Sequence, residues 1–159
     1  MRYLVVVLIG LIAVTSVACG SAEKDYVTYL YQQCDGFKEV LSEPQTENWS
    51  PTRSSLQDAL AKLQEVDKSL SQMKAPTERT RRLAAGLQAL VRGLKGVVPE
   101  ALNLSPASDA ASYYRASVGA ISYQLYEGEV YTGIVDLAMQ LGVVTTTTGY
   151  GTGGTMGGD

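Results

Sequence analysis

The sequence predicts an all-α fold, an up-down four-helix bundle, and three observations carry that expectation. Apolar residues recur at spacings of three and four in four separate segments. Proline-bearing connections separate those segments, at Pro44 and Pro51, at Pro76, and at Pro99 and Pro106. Strand character is confined to residues 143–148, a run with no second strand to pair with. Short connections between amphipathic helices favour antiparallel neighbours. With 159 residues the chain makes one domain, and a domain of that size buries roughly two-thirds of its unfolded surface.

The elements follow in order. Residues 1–18 read as a signal peptide: Arg2 gives the positive charge, an apolar run follows from Tyr3 to Val14, and small residues Thr15, Ser16 and Ala18 close it. The run is too short to span a bilayer, which takes about 20 residues. Residues 19–22 form a short spacer, about 10 Å if the three residues after Cys19 are extended. The first helix covers about 23–41 on the face Val27, Leu30, Cys34, Phe37 and Leu41. Residues 42–52 form a loop that carries Trp49.

The second helix covers about 52–73, with Leu56, Ala59, Leu60, Leu63, Val66, Leu70 and Met73 on one face. Pro76 suits the first position of the third helix, which covers about 76–97 on the seam Leu83, Leu87, Leu90, Leu94 and Val97. Gly86 and Gly93 flank that seam. Each costs about 1 kcal/mol of helix propensity, and close approach of a neighbouring helix is the expected return. The fourth helix is the longest, about 107–141, with a seam of Tyr114, Val118, Ile121, Leu125, Gly128, Thr132, Val135 and Met139. The bundle thus spans 23–142, and 143–159 is a Gly/Thr-rich tail whose composition cannot build a core and predicts disorder.

Composition excludes several function classes. The chain contains no histidine, which removes Ser-His-Asp and Cys-His triads and His-bearing metal bundles. Removing residues 1–18 leaves 12 basic against 16 acidic residues, a net charge of −4, unlike the basic footprint of a nucleic-acid binder. No cofactor motif is supported. Residues 149–154, Gly-Tyr-Gly-Thr-Gly-Gly, carry the letters of a dinucleotide loop, but no helix can follow in the five residues left. Asn48-Trp49-Ser50 and Asn103-Leu104-Ser105 are each followed by proline and read as chance sequons.

Charged and polar candidates mostly read as structure. Cys34 lies in the first seam and is expected to be buried and inert. Glu127, Glu129 and Asp136 do not share one face closely enough to grip an ion and read as solvated charges. Arg81, Gln88, Arg92 and Lys95 lie opposite the third seam. They are expected to form a solvated face balanced by the acidic first and fourth helices, with an acidic partner or lipid phosphate as the functional alternative. The many tyrosines of the first and fourth helices suit a core edge or a binding surface.

The stretch Ser16-Val17-Ala18-Cys19 resembles the lipobox of bacterial lipoproteins, with Ser16 where the family usually has Leu. The resemblance covers the leader alone. It implies a diacylglyceryl group on Cys19, removal of residues 1–18 and an extracytoplasmic membrane anchor, or a secreted form if Cys19 is not lipidated. The expected function is a cell-envelope lipoprotein, not an enzyme, whose bundle is a binding or assembly module. The alternative is a small-molecule carrier with a pocket between helices. The expected partners are the membrane, through the lipid, and a protein or a second copy of the chain. The candidate partner face is a second apolar stripe on the fourth helix, Tyr123, Tyr126, Val130, Ile134, Leu137 and Leu141, almost opposite its seam. A break at Gly128 or Gly133 would instead turn both stripes to one side.

Overall fold

The computed structural model describes residues 2–42, 44 and 52–145, with side chains from residue 20 onward. Five helices make up the described chain: α1 Arg2–Ser42, α2 Arg53–Gln72, α3 Glu78–Asn103, α4 Ala107–Glu127 and α5 Glu129–Gln140. The all-α class therefore stands, and the described residues contain no strand. Helix α2 packs on α1 and α3, α3 on α4 and α5, and α1 also on α5. Near the start of the body, the Thr77 hydroxyl donates to Glu23 Oε1 at 2.9 Å and Arg79 donates to Gln140 at 3.1 Å. At the opposite end, Arg115 donates to the Pro44 carbonyl at 3.1 Å.

The first two helices bury most of the face that their spacing indicates. Val27, Leu30, Cys34, Phe37 and Leu41 of α1 are all buried, as are Leu56, Ala59, Leu63, Val66 and Leu70 of α2. Their starts and stops differ in detail. Helix α1 runs on through Gly20, Ser21 and Ala22, so the expected extended spacer is helical. Thr52 begins α2 with a reciprocal cap: the Ser55 N–H donates to Thr52 Oγ1 at 3.1 Å, and the Thr52 N–H to Ser55 Oγ at 2.9 Å. Thr77 and Thr80 repeat this arrangement at the start of α3. Pro76 consequently lies one residue ahead of the cap, outside the helix.

Helix α3 also runs six residues beyond the expected end, with Pro99 inside it. Pro99 is exposed, so water can satisfy the carbonyl its missing N–H leaves unbonded. Val98 and Ala101 on either side are fully buried and hold the turn in place. The buried face of α3 is rotated slightly from the expected seam, onto Thr80, Leu87, Val91, Leu94, Val98 and Ala101. Gly86 and Gly93 do face neighbours. A Cβ on Gly86 would stand 2.8 Å from Val130 Cγ2, and one on Gly93 would stand 3.5 Å from Ile121 Cδ1.

The expected fourth helix is two helices. Its ladder stops at Gly128, whose φ −78° and ψ 166° are extended, and α5 begins at the next residue. The Gly128 N–H still donates to the Gln124 carbonyl at 3.1 Å. In that conformation a Cβ would lie 2.3 Å from the same oxygen, so glycine is needed here for space. The break changes which side of the chain faces inward. Before it, Tyr114, Val118 and Leu125 are buried; after it, Ile134, Leu137 and Ala138 are. Thr132, on the original seam, is exposed.

Helix α5 ends in a Schellman turn. Gly142 has φ +63° and donates to the Met139 carbonyl at 3.0 Å, and Val143 donates to Ala138 at 2.8 Å. Val143 and Val144 then pack on Val27, Leu137 and Ala138. The first residues of the expected tail are thus part of the folded body, because the left-handed glycine turns the chain back onto α1 and α5. The rest of that tail, 146–159, and the loop carrying Trp49 lie outside the described residues.

Candidate functional site

The six residues of the candidate partner stripe do not share one surface. Ile134 and Leu137 are buried. Val130 is half-buried against Gly86, and Leu141 is half-buried against the cluster of Val27, Leu137 and Ala138. Tyr123 and Tyr126 remain outside, 69% and 42% exposed. Both precede the break, so the change of inward face at Gly128 separates them from the other four.

What the break creates is a tyrosine corner. The Tyr126 and Tyr131 rings meet edge to face across Gly128, 5.1 Å between centroids and 71° between planes. The Lys38 ammonium sits 5.2 Å from the Tyr131 centroid and donates to Asp35 at 3.3 Å. Partial burial alone would lower the Lys38 pKa, but the Asp35 bond and the neighbouring Tyr131 and Tyr126 outweigh it and hold the ammonium above its ordinary range. A shallow hollow of about 250 Å³ between Asp35, Lys38, Glu39, Ser42 and Tyr126 adjoins the rings. Edge-to-face packing and the cation over one ring fix the aromatic surface before anything touches it.

A wider groove lies between α3 and α5. It holds about 590 Å³, is open to solvent, and is lined by Glu78, Arg79, Arg82, Leu83, Glu129, Thr132, Gly133 and Asp136. Gly133 and Leu83 form its floor, and a Cβ on Gly133 would approach Leu83 Cδ2 to 2.7 Å. Glu129 and Asp136 therefore line one wall opposite Arg79 and Arg82. Glu127 is exposed and stands apart from them. Among the described residues no group of three His, Cys, Asp or Glu side chains could hold a metal ion.

Three of the four polar residues on the outer side of α3 have a partner that the sequence did not suggest. Asp67, on α2, has a side chain only 12% exposed. Arg92 Nε donates to its Oδ1 at 2.9 Å, Gln88 to the same oxygen at 3.0 Å, and Lys95 to Oδ2. Lys95 above all, then Arg92 and Gln88, hold the carboxyl below its ordinary pKa against the opposing effect of burial. These residues are balanced by α2 rather than by the acidic first and fourth helices. A signal did exist: Asp67 is spaced at three and four from Leu63 and Leu70, at a position where the stripe wants an apolar residue. Arg81 instead pairs with Glu78 at 2.9 Å.

Cys34 is buried, and burial pushes its thiol up to about 11, with Lys38 opposing and Asp35 adding to the rise. No helix among the described residues is long and apolar enough to cross a membrane. The chain matches no protein-family model, no curated protein and no solved structure.

Proposed function

We propose that the chain is a membrane-anchored lipoprotein of the cell envelope whose helical body, an up-down bundle with a broken last helix, is a binding or assembly module. The observation that carries this reading is the lipobox-like Ser16-Val17-Ala18-Cys19 within α1, which continues from it without a linker into the core. Acylated at Cys19, the body stands on the membrane with α1 upright. The α1 backbone from Cys19 to Lys38 then spans about 28 Å at 1.5 Å per residue. The tyrosine corner beside Lys38 is held at about that height, on rigid elements, where a protein partner or a second copy can reach it. Exposed tyrosines are enriched in such surfaces.

Replacing Cys19 by Ser tests the anchor. The chain should move from the membrane fraction to the soluble one, and the wild-type N-terminal peptide should carry a diacylglyceryl group by mass spectrometry. A soluble wild-type protein with an unmodified Cys19 thiol overturns the reading. A photo-crosslinker at Tyr123 tests the corner: it should give a discrete adduct in cells that one at the exposed Asp58 of α2 does not.

The alternative, a small-molecule carrier, is favoured by the groove between α3 and α5, whose volume falls in the range of ligand sites. Its charged walls and openness favour the binding module instead, since carriers of apolar ligands enclose them.

A further inference from the structure

The tyrosine corner leaves part of its chemistry unused. The Lys38 ammonium lies over the Tyr131 ring and is itself held by Asp35. Among the described residues no cation covers Tyr123 or Tyr126, and both rings are exposed. Tyr123, Tyr126 and Glu127 stand at i, i+3 and i+4, so they share one face of α4. Beside that face the exposed Glu39 and Ser42 of α1 line the hollow of about 250 Å³ together with Asp35, Lys38 and Tyr126. Small-molecule pockets run from about 300 to 1,000 Å³; this hollow suits the tip of one inserted side chain instead.

The charge at the corner is acidic. Asp35, Glu39 and Glu127 stand against the single ammonium of Lys38, and Lys38 is committed to Asp35. The next charges outward largely cancel. Glu129 faces Arg82 in the groove of α3 and α5, and Glu65 shares the groove of α1 and α2 with Lys62. Arg115, two turns before Tyr123, donates to the Pro44 carbonyl. Counting all of these still leaves acids in excess. Among the described residues neither Glu39 nor Glu127 enters an ion pair.

The corner itself contains the contact that would fill such a place. Lys38, Tyr131 and Asp35 put a cation on a ring with a carboxylate beside it. Tyr126 with Glu39, and Tyr123 with Glu127, repeat the ring and the carboxylate without the cation. An apolar side chain in the hollow would leave a covered carboxylate unpaired, and an acidic one would be repelled. Two copies meeting corner to corner would bring like charges together.

We infer that the corner receives a basic segment of a protein partner, with an arginine in the hollow between Tyr126 and Glu39 and a second cation on Tyr123 and Glu127. Arginine suits the hollow better than lysine, because a planar guanidinium stacks on a ring and pairs with a carboxylate at once. The inference rests on the reading of the corner as a binding surface and is independent of the lipid anchor.

The test titrates a short rhodamine-labelled peptide, arginine alternating with glycine, with the full chain in non-ionic detergent and reads fluorescence anisotropy. Binding should saturate. The same peptide with lysine for arginine should bind more weakly, and with glutamate it should not bind. Tyr123→Leu with Tyr126→Leu changes no charge and should weaken binding at least about five-fold. Glu39→Gln with Glu127→Gln should weaken it about three-fold or more. Asp58→Asn with Asp109→Asn, an equal loss of charge at exposed sites elsewhere, should leave it nearly unchanged. Each substituted side chain is exposed, and circular dichroism checks that the fold is kept. If the tyrosine pair has no effect, or the remote acids matter as much as the corner acids, the peptide senses only an acidic body and the inference is overturned.

The crosslinker at Tyr123 separates this inference from the reading it rests on. An adduct within an arginine-rich stretch of another protein supports the basic partner. An adduct to a second copy of the chain, or to an acidic or apolar stretch, leaves the corner a binding surface and overturns the basic partner. No adduct, together with no peptide binding that depends on the tyrosines, overturns both.

Discussion

At the scale of single residues, Asp67 ties α2 to α3. Three donors from α3 converge on one nearly buried carboxylate. Asp67→Ala should cost about 1–2 kcal/mol in denaturant unfolding, at the low end for charge-assisted bonds because Arg92 is largely exposed. The pH dependence has a definite sign. The folded pKa lies below the ordinary 3.8, so the stabilisation is complete above that value and is lost as pH falls through the folded pKa. The stability gap between wild type and Asp67→Asn should hold constant above about pH 5 and narrow below about pH 4. A gap that widens in acid would show that the carboxyl is not held by its cations. Cys34 behaves in the opposite way: with its thiol pushed up to about 11 and its side chain buried, it should resist alkylation in native buffer at pH 8 and react after denaturation.

At the scale of elements, the decisive event is the interruption at Gly128. Ile134→Glu with Leu137→Glu tests core packing, because both side chains are buried. Two unpaired charges placed there should abolish cooperative unfolding; a soluble folded variant would mean that α5 is not docked. Gly128→Ala should lower stability by about 2 kcal/mol, since the added methyl meets the Gln124 carbonyl and the break must move. Val143→Ala with Val144→Ala should cost about 1–2 kcal/mol through lost packing on Val27 and Leu137.

The same elements show what the sequence made legible. The faces of α1 and α2 could be read from spacing because burial on one side leaves a period of 3.6. The break could be named as an alternative but not chosen, because a glycine in a helical pattern looks alike whether it kinks the chain or admits a neighbour. Gly86 does the second and Gly128 the first. Pro99 misled for a related reason: its cost is local, while the burial of Val98 and Ala101 that outweighs it is tertiary. The tyrosine corner was half legible. Tyr123 and Tyr126 stood out as residues, but their separation from Ile134 and Leu137 follows from a turn of the backbone that spacing does not encode. Asp67 escaped because an acid at the edge of a stripe ordinarily meets water.

At the scale of the whole molecule, the proposed anchor and the core share one helix. A lipoprotein whose lipid is followed by a loose linker can swing and search a wide area. Here the stretch between Cys19 and the first buried side chain, Tyr26, is helical throughout. Anchored in the proposed way, the molecule would behave as a mast fixed at its foot, sweeping little area and presenting the tyrosine corner within a narrow band of heights, and a protein partner would have to reach that band itself. With that anchor, a pull on the lipid would act along the axis of α1, in shear against Leu30, Cys34 and Phe37 together, with no linker to absorb the load before the core does.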